Sequence, residues 1–506
     1  MQKTTIRLNP HDNVIIATSQ LMQGNVAENV TISGLVPAGH KIATENIATG
    51  SPVRRYNQII GVATRDIAPG QHVHTHNMQM MSFERDYDFC AHKKEIDVDE
   101  NSDHFMGIVR PDGRIATRNY IGILTSVNCS ATVAKAIADH FRRDINPAAL
   151  ADFPNVDGVV ALPHSTGCGM ASSGESMDTL RRTLIGYARQ PNFHSVLMVG
   201  LGCETNQISG ILAAGNLKED SRLFTYSIQD AGGTSKAVAK GVAKVREMLA
   251  EANKIERVSV SASHLIVGLQ CGGSDGYSGI TANPALGAAV DRLVRAGGTA
   301  ILSETPEIYG AEHLLTQRAV SREVGEKLVR RIKWWEDYCE RNQAEMNNNP
   351  SAGNKAGGLT TILEKSLGAV AKAGTTNLND VYEYAQPITT KGMVFMDSPG
   401  FDPVSATGQV ASGANLICFT TGRGSAYGCM PSPSLKLSTN NACWTRQEED
   451  IDINCGTIIS GEETVDSLGE KIYRTMLDTA SGQRTKSEVH GYGQNEFAPW
   501  IIGATM

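Results

Sequence analysis

From about residue 105 onward the chain alternates short apolar runs with longer amphipathic stretches, and no other feature narrows its fold as much. Candidate buried strands are 121–127, 157–163, 195–201, 264–270, 299–303, 392–397 and 414–420. Between them lie segments of helical period. In 235–254, Val238, Val242, Val245 and Leu249 keep one face apolar. A second helix is expected over roughly 317–345, ending at Asn347-Asn-Asn-Pro350. Strand–helix alternation packs as a mainly parallel sheet with helices against it, so the expected class is α/β multidomain. The first 80 or so residues read differently. Short strands such as 13–18 and 58–63 are broken by Pro37-Ala-Gly39 and Pro69-Gly70, which suits a small β unit. Residues 82–104 are charge-rich and aperiodic, a linker composition. The expected division is a β unit at 1–85, a linker at 86–104, a second α/β unit at 105–255 and a C-terminal α/β catalytic unit at 260–506.

Charge and composition remove several functions. A net charge of −7 without long basic runs argues against nucleic acid as a partner. No apolar stretch approaches the roughly 18 residues of a membrane span. The start lacks the apolar core of a signal peptide, so a cytoplasmic protein with reduced thiols is expected. The 10 cysteines then serve packing, metal binding or catalysis, and none lies in a C-x-x-C pair. There is no Walker A motif and no G-x-G-x-x-G after a strand, so no nucleotide cofactor is expected. A homodimer is the base expectation for oligomeric state.

Reactive residues fall repeatedly at strand ends. Cys129 follows one strand, His164 and Cys168 the next, Cys203 and Glu204 the third. Cys271, Glu304 and Thr421-Gly-Arg-Gly424 follow later ones. In open α/β sheets, ligands bind beyond the carboxyl ends of strands. Each residue also has a plainer role: a cysteine as a small hydrophobe, His164 as a loop residue bonded to backbone. The segment Gln270-Cys-Gly-Gly-Ser-Asp-Gly-Tyr-Ser-Gly279 suits an anion nest or a surface turn. Lys355 and Arg423 sit in glycine-rich loops, as carboxylate partners or as solvated charges. In the β unit, His72, His74 and His76 alternate. On a strand they would share a face and offer imidazoles to one divalent metal, with His40 able to join, or form an exposed polar face.

These segments resemble the altronate/galactarate dehydratase family over nearly the whole chain. Asp12-Asn-Val14, Gly39-His-Lys41, Tyr56…Ile60-Gly61 and His72-Val-His-Thr-His-Asn77 resemble its SAF-type β-clip module. Thr117-Arg-Asn119, Val127-Asn-Cys129, Gly167-Cys-Gly169 and Gly200-Leu-Gly-Cys-Glu204 resemble its second domain. Cys271-Gly-Gly-Ser-Asp275, Thr281-Ala-Asn-Pro284, Gly353-Asn-Lys-Ala-Gly-Gly358 and Thr421-Gly-Arg-Gly424 resemble its C-terminal domain. Pro306-Glu-Ile-Tyr-Gly-Ala-Glu312 and Glu364-Lys-Ser-Leu-Gly368 look closer to the altronate branch; Ala116 and Ala352 depart from the family pattern.

The resemblance implies a hydro-lyase that converts a sugar acid, D-altronate first, into a 2-keto-3-deoxy acid. It implies a divalent metal, iron(II) with manganese as the substitute, placed at His40, His74 and His76. Arg118, Asn119, Ser274, Asp275 and Arg423 are the expected grips on carboxylate and hydroxyls. His164 and Lys355 are the expected base and acid, with Glu304 orienting them and Cys168 beside them. A second arrangement gives Cys129, Cys168, Cys203 and Cys271 to an iron–sulfur cluster. Galactarate dehydration, sulfite elimination from a sulfo-acid, and non-catalytic sugar-acid binding are the alternative functions.

Overall fold

The computed structural model describes residues 4–81 and 86–506. The expected end of the β unit at 85 and the first residues of the chain lie outside them. In the N-terminal module, antiparallel strands Thr5–Ile6, Val14–Ala17, Lys41–Ala43 and His72–Val73 form one sheet, and Pro52–Arg55, Gln58–Ala63 and Met78–Gln79 another. Turns break the chain every few residues, so the strands stay short. Ile15, Ile32, Val36 and Ile42 are fully buried between them.

The second unit carries a parallel sheet in the order Gly158–Leu162, Tyr120–Thr125, Phe193–Gly200, Leu223–Ser227. Every residue of Tyr120–Thr125 is buried, as a strand covered on both faces requires. Helices Ala131–Asp139 and Thr234–Ala252 share the core on one face. There Val245 and Leu249 are buried and Val238 and Val242 partly so, the stripe the periodicity calls for. Helix Glu175–Arg189 packs against helix Asp402–Ala411 of the C-terminal unit, so close that a side chain at Gly186 would strike the Ala411 carbonyl.

The C-terminal unit holds a wholly parallel sheet in the order Leu378–Tyr382, Gly392–Met396, Thr299–Leu302, Ile266–Cys271, Leu416–Thr421, Ser434–Ser438, Ile453–Asn454. Chain order steps away from Ile266–Cys271 and its neighbour Leu416–Thr421 in opposite directions, except that the edge strand Leu378–Tyr382 precedes Gly392–Met396. That pair is the topological switch point, and loops leaving its carboxyl end open a crevice.

The chain enters and leaves the second unit through neighbouring strands, His104–Val109 pairing antiparallel with Val258–Ser261. Residues 86–103 have the exposed charges of a linker but are strapped to the C-terminal unit. Cys90 N donates to Thr316 O (3.1 Å), His92 N to Gln317 O (2.7 Å) and Asp99 N to Arg295 O (2.8 Å). Among the described residues, no helix is long and apolar enough to cross a membrane.

Candidate functional site

The N-terminal module docks over the crevice at the switch point. The Gly39 carbonyl lies so close to Gly276 and Gly358 that a side chain at either would collide with it. Lys41 Nζ donates to Gly358 O (2.7 Å) and to both carboxylate oxygens of Glu364 (2.8 Å each). Arg55 donates to Glu364 Oε1 and to Gly276 O, both at 2.6 Å. Burial opposes the charge of Glu364, yet Lys41 and Arg55 overcome it and pull its pKa down to about 2.

This docking places His40 among the other histidines. His40 Nδ1 and His72 Nε2 are 2.9 Å apart, and His40 Nε2 meets Ala356 O at 3.2 Å. One donor atom from each of His40, His72 and His74 falls within 4.8 Å of the others. His74 Nδ1 is buried without a hydrogen-bond partner. Burial, and the crowding of neighbouring rings and Lys41, lower His72 to about 3 and His74 to about 4, so both rings are uncharged at neutral pH. Convergent neutral imidazoles, one with an orphaned nitrogen, fit a divalent cation.

The expected ligand set changes in one member: His72 belongs to the triad and His76 does not. The strand stops at Val73 and residues 74–77 turn, so two-residue alternation ends there. Asn77 closes that turn, accepting from His74 N and donating to His72 O at 2.9 Å each. His76 is left with its ring 5.3 Å from that of His72.

On the other wall, Arg423 is exposed and its stem packs beside Gly273. Ser274 is buried, and its carbonyl accepts from Asn354 Nδ2 at 2.8 Å. Half-buried Lys355 directly precedes Ala356, whose carbonyl meets His40. Asp275, expected to grip substrate, is instead a buttress. Its carboxylate accepts from Thr439 Oγ1 (2.9 Å), Asn440 Nδ2 (2.9 Å), Ser278 Oγ (3.1 Å) and Tyr277 N (3.1 Å).

Behind the end of the Ile266–Cys271 strand lies a buried charged cluster. Lys372 Nζ stands 2.9 Å from Cys271 Sγ and 3.3 Å from Glu304 Oε2. Cys271 Sγ is 3.3 Å from Glu307 Oε2, and Lys365 bonds Glu307 Oε1 at 2.8 Å. Glu304 is fully buried, has a left-handed backbone (φ 71°) and leaves Oε1 without a partner. Non-glycine residues hold that backbone only where their surroundings compel it. Burial and then Glu307, only partly offset by Lys372, push Glu304 up to about 8, so it keeps its proton at neutral pH. The ammonium of Lys372 stands where a cation would bind Cys271 and Glu304, so this is acid–base rather than metal geometry.

Other expected site residues lie elsewhere. Arg118 uses all its N–H donors in the protein: two on Glu488 (2.6 and 2.8 Å), the rest on the carbonyls of Thr117, Thr479 and Gln483. Asn119 is equally committed, to Arg110, Asn155 and Ala252. Both precede the Tyr120–Thr125 strand, at the amino end of its sheet; Arg118 clamps the second unit to the C-terminal unit, and Asn119 ties segments of the second unit to one another. His164 is buried in the second unit. Nε2 meets Thr125 O (3.0 Å), Nδ1 accepts from Thr166 N (3.3 Å), and burial lowers its pKa to about 4. With both nitrogens engaged it is a loop fastener, not the base. Cys129, Cys168 and Cys203 are exposed at ends of the second unit's sheet, whereas Cys271 is buried in the other sheet against Lys372, so these four do not form one cluster.

Some site residues escaped the sequence reading. His72 lay on the alternating histidine face but was left out of the ligand set that the resemblance implied. Glu307 and Lys365 lay inside recognised segments but gave no sign of a role. Lys372 follows a wholly buried helix, Ile362–Val370, and nothing in its neighbourhood marks a functional lysine.

Docked β module, convergent imidazoles and a buried acid–base cluster at a sheet switch point define an enzyme for a small anionic substrate. Comparison with known proteins specifies which kind. Residues 3–81 match the altronate/galactarate dehydratase SAF domain, 107–253 the D-galactarate dehydratase/altronate hydrolase second domain, and 262–505 the D-galactarate/altronate dehydratase C-terminal domain. The chain is 32% identical to altronate dehydratase of Bacillus subtilis over 100% of both chains. It is 32% identical to altronate dehydratase of Escherichia coli over 99% of both. It is 36% identical to the L-threo-forming galactarate dehydratase of Escherichia coli, over 95% of this chain and 93% of that one. The chain belongs to the altronate/galactarate dehydratase family of hydro-lyases.

Proposed function

We propose that the chain removes water from a sugar acid, D-altronate first among the substrates, to give a 2-keto-3-deoxy acid. One observation carries the reading: His40, His72 and His74 converge over the glycine loops of the switch-point crevice, whose walls also hold Lys355 and Arg423. These three imidazoles would hold a divalent metal, iron(II) or manganese(II). When bound, such an ion draws charge from carboxylate and hydroxyl oxygens as the C2 proton leaves.

The remaining work belongs to the chain. Arg423 presents the planar fork that matches a carboxylate. Ser274 and the backbone of the glycine loops bind hydroxyls. Lys355 exchanges protons at the reacting carbons. Glu304, protonated at neutral pH and backed by Lys372, keeps a proton available behind the strand end. Asp275 fixes the loop that carries Ser274.

Altronate ranks first because both altronate dehydratases match essentially the whole chain and the His-Val-His-Thr-His-Asn77 segment resembles that branch. Galactarate is the second reading, favoured by the higher identity, 36%, to a galactarate dehydratase. Incubating the protein with each acid, with and without Fe²⁺ and Mn²⁺, tests both. Iron-stimulated 2-keto-3-deoxy product from altronate is expected. Product from neither acid, with metal supplied, would refute the proposal.

A further inference from the structure

The 10 cysteines divide by exposure. Seven are buried or half-buried, as free cysteines usually are; Cys129, Cys168 and Cys203 are exposed. These three follow three neighbouring strands of one parallel sheet, in the order Gly158–Leu162, Tyr120–Thr125, Phe193–Gly200. Chance gives no reason for all the exposed thiols to gather at one sheet end.

Their loops are braced together. Asn128 N donates to Thr166 O (3.0 Å), Asn206 N to Gly167 O (2.9 Å) and Asn206 Nδ2 to Ser126 O (3.1 Å). Buried Glu204 accepts from Ser126 Oγ and, at 2.6 Å, from Gly202 N. Thr205 Oγ1 approaches Cys168 Sγ at 3.9 Å, and Gln229 Nε2 approaches Cys203 Sγ at 3.5 Å. The N–H groups of Thr205 and Gly169 also turn toward Cys168 Sγ.

The spacing selects the occupant. Among the described residues, the sets of three with all donor atoms within 4.8 Å of one another are the histidine triad and Cys271–Glu304–Glu307; the three thiols stand wider. One zinc ion, with Zn–S of about 2.3 Å, would draw its thiolates to within roughly 4 Å of each other. Neighbouring strands lie about 4.8 Å apart, so loops after three of them can hold their thiols several ångströms apart, as the corners of an iron–sulfur cubane require and a single ion does not. The loops bearing Cys129 and Cys168 also wall a cavity of about 620 Å³, lined in part by Asn128, His164 and Thr166.

We propose that Cys129, Cys168 and Cys203 bind a [4Fe–4S] cluster through three thiolates, leaving the fourth iron open to an oxygen ligand. Assembly takes up Fe²⁺/Fe³⁺ and sulfide and releases the thiol protons. This centre is separate from the histidine site and does not rest on the dehydration reading.

The full-length protein, reconstituted anaerobically with iron and sulfide and then desalted, provides the test. Wild type, His72→Ala and Cys271→Ser are expected to keep acid-labile sulfide with at least an equal amount of iron, and broad visible absorption. Cys129→Ser, Cys168→Ser and Cys203→Ser are each expected to lose the sulfide and the absorption. Because these thiols are exposed, unchanged circular dichroism should accompany that loss. Wild type that retains no sulfide, or retains zinc alone, overturns the proposal. So does loss in Cys271→Ser with retention in the other three. Turnover of altronate or galactarate is measured separately, so failure here leaves the proposed reaction standing.

Discussion

Replacing Glu364 by Gln should release the N-terminal module from the C-terminal unit. The carboxylate is wholly buried and serves both cations: Oε1 takes Lys41 and Arg55, while Oε2 takes Lys41 plus the N–H and hydroxyl of Thr360 at 2.9 and 2.7 Å. An amide keeps one acceptor oxygen. If its nitrogen replaces Oε1 it faces the Arg55 guanidinium, and if it replaces Oε2 it faces the Thr360 N–H. Either way donors meet. Lys41 can shed its proton, but Arg55 cannot. Breaking a buried pair by removing one charge costs about 3–5 kcal/mol. With several cooperative units in the chain, a single melting temperature is a poor reporter. Native-state hydrogen exchange resolves the module directly, and that cost should lower protection of its slowest amides by roughly 10²–10⁴-fold. Glu247→Gln, which breaks the exposed Lys244–Glu247 pair, should leave protection unchanged. Protection in Glu364→Gln within about threefold of wild type would show that water or side-chain rearrangement already screens these charges, and the docking argument would fail.

Iron binding should separate the adjacent histidines: His72→Ala is expected to lower Fe²⁺ affinity by more than about 100-fold and His76→Ala by less than about tenfold, and the reverse order by titration would restore the set of His40, His74 and His76. Glu304 keeps its proton in the fold up to about 8 but ionises near 4.3 when unfolded, so its stabilisation is full below about pH 4 and fades as pH rises towards 8. Denaturant titrations of wild type and Glu304→Gln at about pH 5 and about pH 8 should show the variant gaining on wild type at the higher pH; a constant difference would place the carboxylate ionised in the fold. Arg118→Met is expected to destabilise by roughly 3–5 kcal/mol while KM of the folded fraction stays at the wild-type value, and a raised KM with intact stability would return Arg118 to the substrate.

Backbone architecture was legible where burial is two-sided, because strands covered on both faces must be continuously apolar. Tyr120–Thr125 and Ile266–Cys271 both announced themselves that way. Ser434–Ser438 did not, since its sequence Ser-Leu-Lys-Leu-Ser alternates; Lys436 is nevertheless buried, with its ammonium reaching Ser425 O at 3.1 Å. Leu378–Tyr382 escaped because Asn379 and Asp380 interrupt its apolar run. For the site, residue type was informative and partner was not. Arg118 looked like a carboxylate grip, and its carboxylate proved to be Glu488, 370 residues away. The histidine motif pointed to imidazoles that converge, but only the turn after Val73 decides that His72 and not His76 joins His40 and His74.

The paired strands His104–Val109 and Val258–Ser261 carry a consequence for how such a chain can change. Gly107 stands opposite Val258, so the polypeptide departs from and rejoins the same place. Topologically the whole second unit is an excursion between two neighbouring residues. It can lengthen, shrink or be exchanged without rewiring the seven-stranded sheet or the histidine-bearing cap. Its tether to the rest is then the helix contact at Gly186 and Ala411 together with the polar clamps around Arg118 and Asn192, which tie Thr117 and Asn415 across the gap. Those clamps are what any replacement for the excursion must reproduce.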